Sequence, residues 1–168
     1  MLTGSVASSI YGKPRSTHDA DFVIAPTRDQ VLAFVVLCKR HGFYASTEEA
    51  TAALQARTQF NIIDFTNGMK ADLIIRKTRD FSVIEFERRS EVELPDLSLV
   101  IATAEDVLIA KLEWAKIGES ELQIADAAGM IKMQGDALDL TYVEHWVESL
   151  GLQEQWRSAQ EKAAERDE

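Results

Sequence analysis

Gly4-Ser5, Asp19-Ala20-Asp21 and Lys70-Ala71-Asp72 are the residues of this chain whose types and spacing suit chemistry. Asp19 and Asp21 stand two apart in Asp19-Ala20-Asp21-Phe22-Val23-Ile24, which reads as a strand. Strand side chains alternate, so both carboxylates belong on one face. Neighbouring carboxylates repel each other unless something positive lies between them. Hard divalent cations such as Mg²⁺ take oxygen ligands of this kind and share their sites with substrate phosphates. Asp72 on a nearby strand would bring a third carboxylate. Three carboxylates suffice for two such ions, which clamp the attacking and leaving oxygens of an in-line displacement at phosphorus. Gly4 lets backbone approach phosphates without a Cβ in the way. Ser5 offers a hydroxyl and an N–H at the start of a helix, where anions bind.

Several elements must position these groups. Residues 2–6 read as a strand end and turn, Val6 to Tyr11 as a short helix, and 20–25 as a strand. Thr27 with Gln30 forms a capping box for a helix to about Arg40, apolar nearly all round and therefore expected to be deeply buried. A short strand is expected at 43–45. Ser46 with Glu49 starts another helix, to about Ala56. Gln59 to Phe65 and Met69 to Arg76 flank Thr66-Asn67-Gly68, a strong hairpin signal that puts Asp72 on a strand. Residues 81–87 and 91–94 read as strands, and 99–102 as extended. From Thr103, a further N-cap with Asp106, the pattern becomes helical over 104–116, 120–133, 141–149 and 152–166. Mixed elements followed by helices alone predict an α/β (α+β) core over residues 1–102, a mixed sheet flanked by helices. A helical C-terminal part over 103–168 would pack on it.

The 168 residues are 46% hydrophobic, enough for a real core. No apolar run reaches the roughly 18 residues of a membrane span. Met1-Leu2-Thr3-Gly4-Ser5 lacks a basic start and a long apolar segment, so no signal peptide and a cytoplasmic location are expected. The single cysteine, Cys38, sits in an apolar run and reads as a reduced core residue. The net charge of −10 is uneven. Residues 1–101 carry 12 basic and 13 acidic side chains, and residues 102–168 carry 6 and 15. Non-specific nucleic-acid binding needs clustered positive charge. The C-terminal part is unsuited to it and better suited to a protein partner. Lys13, Arg15, Arg76, Lys77, Arg79, Arg88 and Arg89 could form a local basic rim, or simply a solvated surface.

Each piece alone has a plainer reading. Gly-Ser is usually a turn, an Asp-x-Asp pair often faces solvent, and one Asp at a strand start is commonly a turn or edge residue. Together, in this order, they are far more specific. Gly4-Ser5, thirteen residues, Asp19-Ala20-Asp21 and a later strand with Asp72 resemble the minimal nucleotidyltransferases of the DNA polymerase β superfamily. Tyr11-Gly12-Lys13-Pro14-Arg15-Ser16-Thr17 is similar to this family's intervening loop. Ala104-Glu105-Asp106-Val107-Leu108-Ile109-Ala110-Lys111-Leu112 and the helices after it resemble bacterial members of toxin–antitoxin type.

The resemblance implies a nucleotidyltransferase fold with Asp19, Asp21 and Asp72 as catalytic ligands of Mg²⁺ or Mn²⁺. It implies Gly4 and Ser5 as holders of a nucleoside triphosphate such as ATP, with Arg15 and Lys111 as further candidates. The reaction implied is transfer of a nucleoside monophosphate to a tRNA, a protein or a small molecule, releasing pyrophosphate. Asp72 would lie nearest the attacking oxygen and could help deprotonate the acceptor. Two rivals stand beside this reading. One is a nucleotidyltransferase-like antitoxin acting by protein contact without turnover, and the other a metal-dependent phosphohydrolase using the same carboxylates.

Lys111 shares a helix face with Val107, Leu108 and Ala115 by i±3 and i±4 spacing. A lysine on a buried stripe either snorkels to water or meets an anion. Arg15 either touches nucleotide or fixes its loop. Asp126, among Ile124, Ala127 and Ala128, reads as a structural partner for Lys111 or a helix end rather than as a catalytic group. His18, His41 and His145 lack zinc spacing. Trp114, Trp146 and Trp156 read as packing anchors.

Overall fold

The computed structural model describes residues 1–94 and 97–165. The chain is α/β. Its strands are β1 (Leu2–Thr3), β2 (Asp19–Ile24), β3 (Tyr44–Ala45), β4 (Gln59–Asp64), β5 (Met69–Ile75), β6 (Ser90–Leu94) and β7 (Leu97–Ile101). Its helices are α1 (Gly4–Tyr11), α2 (Arg28–Arg40), α3 (Thr47–Ala56), α4 (Asp80–Arg88), α5 (Ala104–Gly118), α6 (Glu121–Gln134), α7 (Leu140–Leu150) and α8 (Gln153–Ala164). Packing divides the chain into two units: Met1–Thr3 with Ser16–Ile101, and Gly4–Arg15 with Ala102–Glu168.

The first unit holds one seven-stranded mixed sheet in the order β3-β4-β5-β2-β1-β7-β6. The β2–β5 and β1–β7 pairs are parallel, and the other neighbours are antiparallel. The β4–β5 hairpin forms where Asn-Gly predicts it. Gly68 takes φ +73°, and its N–H donates to Asp64 O at 2.9 Å. Asp64 Oδ1 accepts from both the N–H and the hydroxyl of Thr66, at 2.8 and 2.6 Å. One sheet face is apolar. Phe60, Leu73 and Ile75 are buried there with Val31, Val35 and Cys38 of α2 and Ala50 and Ala53 of α3.

Two local expectations are corrected in this unit. Residues 81–87 form the helix α4 rather than a strand. Its buried side chains, Phe81, Ser82 and Glu85, follow i, i+1, i+4, which is a helical stripe. The β-branched Val83 and Ile84, with Phe81 and Phe86 flanking them, are equally compatible with a strand. The helix α2 is not buried all round. Val31, Val35 and Cys38 line its covered stripe, while Val36 and Leu37 are exposed. One sheet face can cover only one side of a helix. The predicted capping box of α2 forms with both bonds, Gln30 N–H to Thr27 Oγ1 and Thr27 N–H to Gln30 Oε1.

The second unit is helical, built from α1 and α5 to α8. Val107, Leu108, Ile109 and Leu112 of α5, Ala127 and Met130 of α6, Val143 of α7 and Ala159 of α8 are its buried core. Thr103 caps α5: its Oγ1 accepts from Asp106 N–H and its hydroxyl donates to Asp106 Oδ2 at 2.7 Å. Tyr142 donates to Asp106 Oδ1 at 2.6 Å, so the fully buried carboxylate joins α5 to α7. The helix α8 ends at Ala164, and residue 166 of the expected span lies outside the described residues. Trp146 and Trp156 are buried as expected, but Trp114 is 54% exposed and is not a packing anchor within this chain. Among the described residues, no helix is long and apolar enough to cross a membrane.

Candidate functional site

In the first unit, β2 and β5 run parallel and in register. Asp19 pairs with Lys70, Asp21 with Asp72 and Val23 with Ile74. Adjacent strands lie about 4.8 Å apart, so Asp21 and Asp72 are side-by-side carboxylates. The register continues outward to Thr3 of β1, opposite Asp21, and to Asn61 of β4, opposite Asp72. Thr3, Asp21, Asp72 and Asn61 thus form one polar row across four strands. The alternation that buries Phe60, Leu73 and Ile75 on one face delivers this row to the other.

Like charges directly opposite each other destabilise a sheet. Lys70, two residues before Asp72 and on the same face, offsets part of this. Its Nζ lies 3.3 Å from Asp72 Oδ2 and 3.5 Å from Asp19 Oδ2. Burial pulls the Lys70 ammonium down, but the hydrogen bond and charge of Asp72, then Asp19, outweigh it and hold it above the ordinary lysine value. Asp72 is 8% exposed, while the Asp19 side chain is half exposed at the strand start. Two buried oxygens on this face, Asp72 Oδ1 and Thr3 Oγ1, have no hydrogen-bond partner. Buried polar oxygens of this kind are normally satisfied by a water, an ion or a ligand.

Among the described residues, no three His, Cys, Asp or Glu side chains are gathered as closely as a preformed cage needs. The donor set nevertheless fits a hard cation. It offers carboxylate oxygens and a hydroxyl on one face, and Mg²⁺ is held by one or two carboxylates plus water and phosphate rather than by an all-protein cage.

The remaining predicted site residues lie in the second unit. Gly4 opens α1 with φ +63°, a conformation that favours glycine. Ser5 follows it, and its hydroxyl is approached by two cations. Arg15 Nη2 donates to Ser5 Oγ, and Lys111 Nζ lies 3.4 Å from it. Both cations also hold Asp126. Lys111 Nζ is 2.7 Å from Asp126 Oδ2, and Arg15 Nε is 3.0 Å from Asp126 Oδ1. The Lys111 side chain is 3% exposed. It therefore meets an anion and does not snorkel.

The sequence explains how Arg15 arrives. A Cβ on Gly12 would stand 2.9 Å from Met130 N, and one on Gly129 would stand 3.4 Å from Lys13 Cβ. The loop after α1 can therefore lie directly on α6. Gln134 Nε2 donates to Tyr11 O at 2.6 Å and fastens it.

The two groups are thus Asp19, Asp21 and Asp72 on the sheet, and Ser5, Arg15 and Lys111 among the helices. Sequence reasoning assigned no role to Lys70, Thr3 or Asn61. Lys70 was discoverable from its parity with Asp72, and Thr3 from its place beside Gly4. Asn61 required the hairpin register. No protein-family model matches the chain, and no curated protein sequence does.

Proposed function

We propose that this chain is a metal-dependent nucleotidyltransferase of the polymerase β type. It would transfer a nucleoside monophosphate from a triphosphate to an acceptor hydroxyl or phosphate and release pyrophosphate. One observation carries the reading: Asp21 and Asp72 stand in register on parallel strands, on a face whose buried Asp72 Oδ1 and Thr3 Oγ1 lack hydrogen-bond partners. A buried oxygen without a hydrogen bond is costly to maintain, which favours a functional reason for it.

In this reading Asp19, Asp21 and Asp72 hold Mg²⁺ or Mn²⁺. When bound, the metal neutralises phosphate charge and polarises the phosphoryl oxygens. Gly4 and Ser5 hold the triphosphate through backbone N–H groups at the start of α1 and the Ser5 hydroxyl. Arg15 and Lys111 supply positive charge around that hydroxyl, while Asp126 fixes both side chains in place. Asp72 is the residue to accept the proton of the attacking hydroxyl. Most of the rate acceleration then comes from positioning and charge neutralisation.

A second reading is a binding module that acts by contact alone. Trp114, Ile117 and Leu122 favour it: they are exposed apolar side chains in the strongly acidic helical part. The deciding experiment is thermal unfolding with Mg²⁺ and each of the four nucleoside triphosphates, followed by transfer from the α-³²P-labelled form of whichever stabilises. A ligand at about 100 times its Kd adds roughly 2.7 kcal/mol. Stabilisation that needs both metal and one triphosphate, and disappears in Asp21→Asn, supports the enzyme. No shift with any triphosphate rejects it in favour of the binding module.

A further inference from the structure

We propose that Lys70 is a resident counter-ion of the acidic sheet face, and that a divalent cation enters by displacing its ammonium from Asp72 and Asp19. The inference rests on the metal reading above and adds how the metal is admitted.

Two of the lysine–carboxylate arrangements among the described residues differ in both distance and exposure. Lys111 meets Asp126 at 2.7 Å with 3% of its side chain exposed. That is the distance of a full charge-assisted hydrogen bond. Lys70 meets Asp72 at 3.3 Å and Asp19 at 3.5 Å, and 31% of its side chain is exposed. Both separations exceed the charge-assisted range of about 2.7–2.9 Å. The ammonium is therefore shared between two carboxylates and tightly bound to neither. Its four-carbon stem is flexible and its head strongly hydrated, so it can return to water easily.

Lys70 also leaves the face incompletely satisfied. It reaches Asp72 Oδ2, while Asp72 Oδ1 and Thr3 Oγ1 stay buried without partners. A point charge with N–H donors cannot serve oxygens spread over three strands. A divalent ion with its water shell accepts several oxygen ligands at once and carries twice the charge. Exchange therefore has a direction. It favours a divalent ion over Lys70, whereas a monovalent ion offers no more charge than the ammonium already present. The arrangement partly neutralises the metal-free sheet while reserving its carboxylates for a stronger cation.

The test uses Mn²⁺ as probe, with free Mn²⁺ read by electron paramagnetic resonance, on the full chain and on Lys70→Met, Lys70→Gln, Lys70→Arg and Asp21→Asn. Met and Gln remove the competing charge without shortening the side chain severely. Both should tighten Mn²⁺ binding by about tenfold or more, the equivalent of one charge-assisted bond. Metal-free Lys70→Met should melt below the native chain, and Mn²⁺ should restore it. Arginine, which grips carboxylates with a rigid fork, should weaken Mn²⁺ binding. If the native chain binds Mn²⁺ and neither neutral variant binds more tightly, displacement is wrong although the metal site stands. If neither the native chain nor any Lys70 variant binds Mn²⁺, the metal reading itself falls.

Discussion

Lys111 Nζ lies 2.7 Å from Asp126 Oδ2, with both side chains buried. Arg15 reaches the same carboxylate from the loop after α1. One acid thus holds two cations against the Ser5 hydroxyl. Removing one partner of a buried ion pair costs about 3–5 kcal/mol, because it strands the other charge. Asp126→Ala should destabilise the chain by about that amount in urea unfolding. Lys111→Met should cost less, since Arg15 still compensates Asp126. Equal stability of Asp126→Ala and the native chain would show that the cluster contributes nothing to folding.

The acidic face makes a separate kinetic prediction. Asp21→Asn and Asp72→Asn keep size and polarity but remove a charge on which the proposed metal site depends. Each should lower nucleotidyl transfer by at least on the order of 10²–10³, the scale of losing one preorganised electrostatic group. Each should also abolish the metal-dependent part of the thermal shift. Full transfer by either variant would move the chemistry away from β2 and β5.

The sequence carried the parity of Asp19, Asp21 and Asp72, because alternation is local and a hairpin signal fixes a strand. It carried the Thr27 and Thr103 caps for the same reason. Lys111 on a buried stripe leaves two outcomes open in the sequence, water or an anion, and the 2.7 Å contact with Asp126 selects the anion. Three features were not legible. The α4 stretch Phe81-Ser82-Val83-Ile84-Glu85-Phe86 satisfies strand and helix patterns alike, and only burial of Phe81, Ser82 and Glu85 selects the helix. The exposure of Val36 and Leu37 depends on how much of α2 the sheet covers. The row from Thr3 to Asn61 depends on register between strands far apart in sequence.

The hairpin that sets this register is held partly by a titratable group. The Thr66 hydroxyl, then the Thr66 N–H, hold the Asp64 carboxyl below its ordinary value of 3.8. A depressed carboxylate contributes stability that is present above its unfolded value and lost as pH falls through the folded one. The contribution should therefore be intact above about pH 4 and disappear on further acidification. Thr66→Val should move Asp64 back toward 3.8 in a carboxyl ¹³C NMR titration. An Asp64 titration unchanged by Thr66→Val would assign the depression to another cause.

Two helix ends carry left-handed backbone without glycine, and they should respond oppositely to it. Glu119 ends α5 at φ 47°, and Arg57 ends α3 at φ 51°. Left-handed backbone costs a residue with a Cβ roughly 1–2 kcal/mol. Glycine relieves this but adds about 0.4–1 kcal/mol of unfolded-state entropy. For Glu119→Gly the balance is a gain of roughly 0.5 kcal/mol. Arg57 also donates Nη1–H to Arg76 O at 3.0 Å, fixing the chain after β5. Losing that bond costs about 0.5–1.5 kcal/mol, so Arg57→Gly should be neutral or destabilising. Urea midpoints of the two variants decide the matter. A higher midpoint for Arg57→Gly than for Glu119→Gly would mean that the Arg57 bond contributes little and backbone strain alone governs both caps.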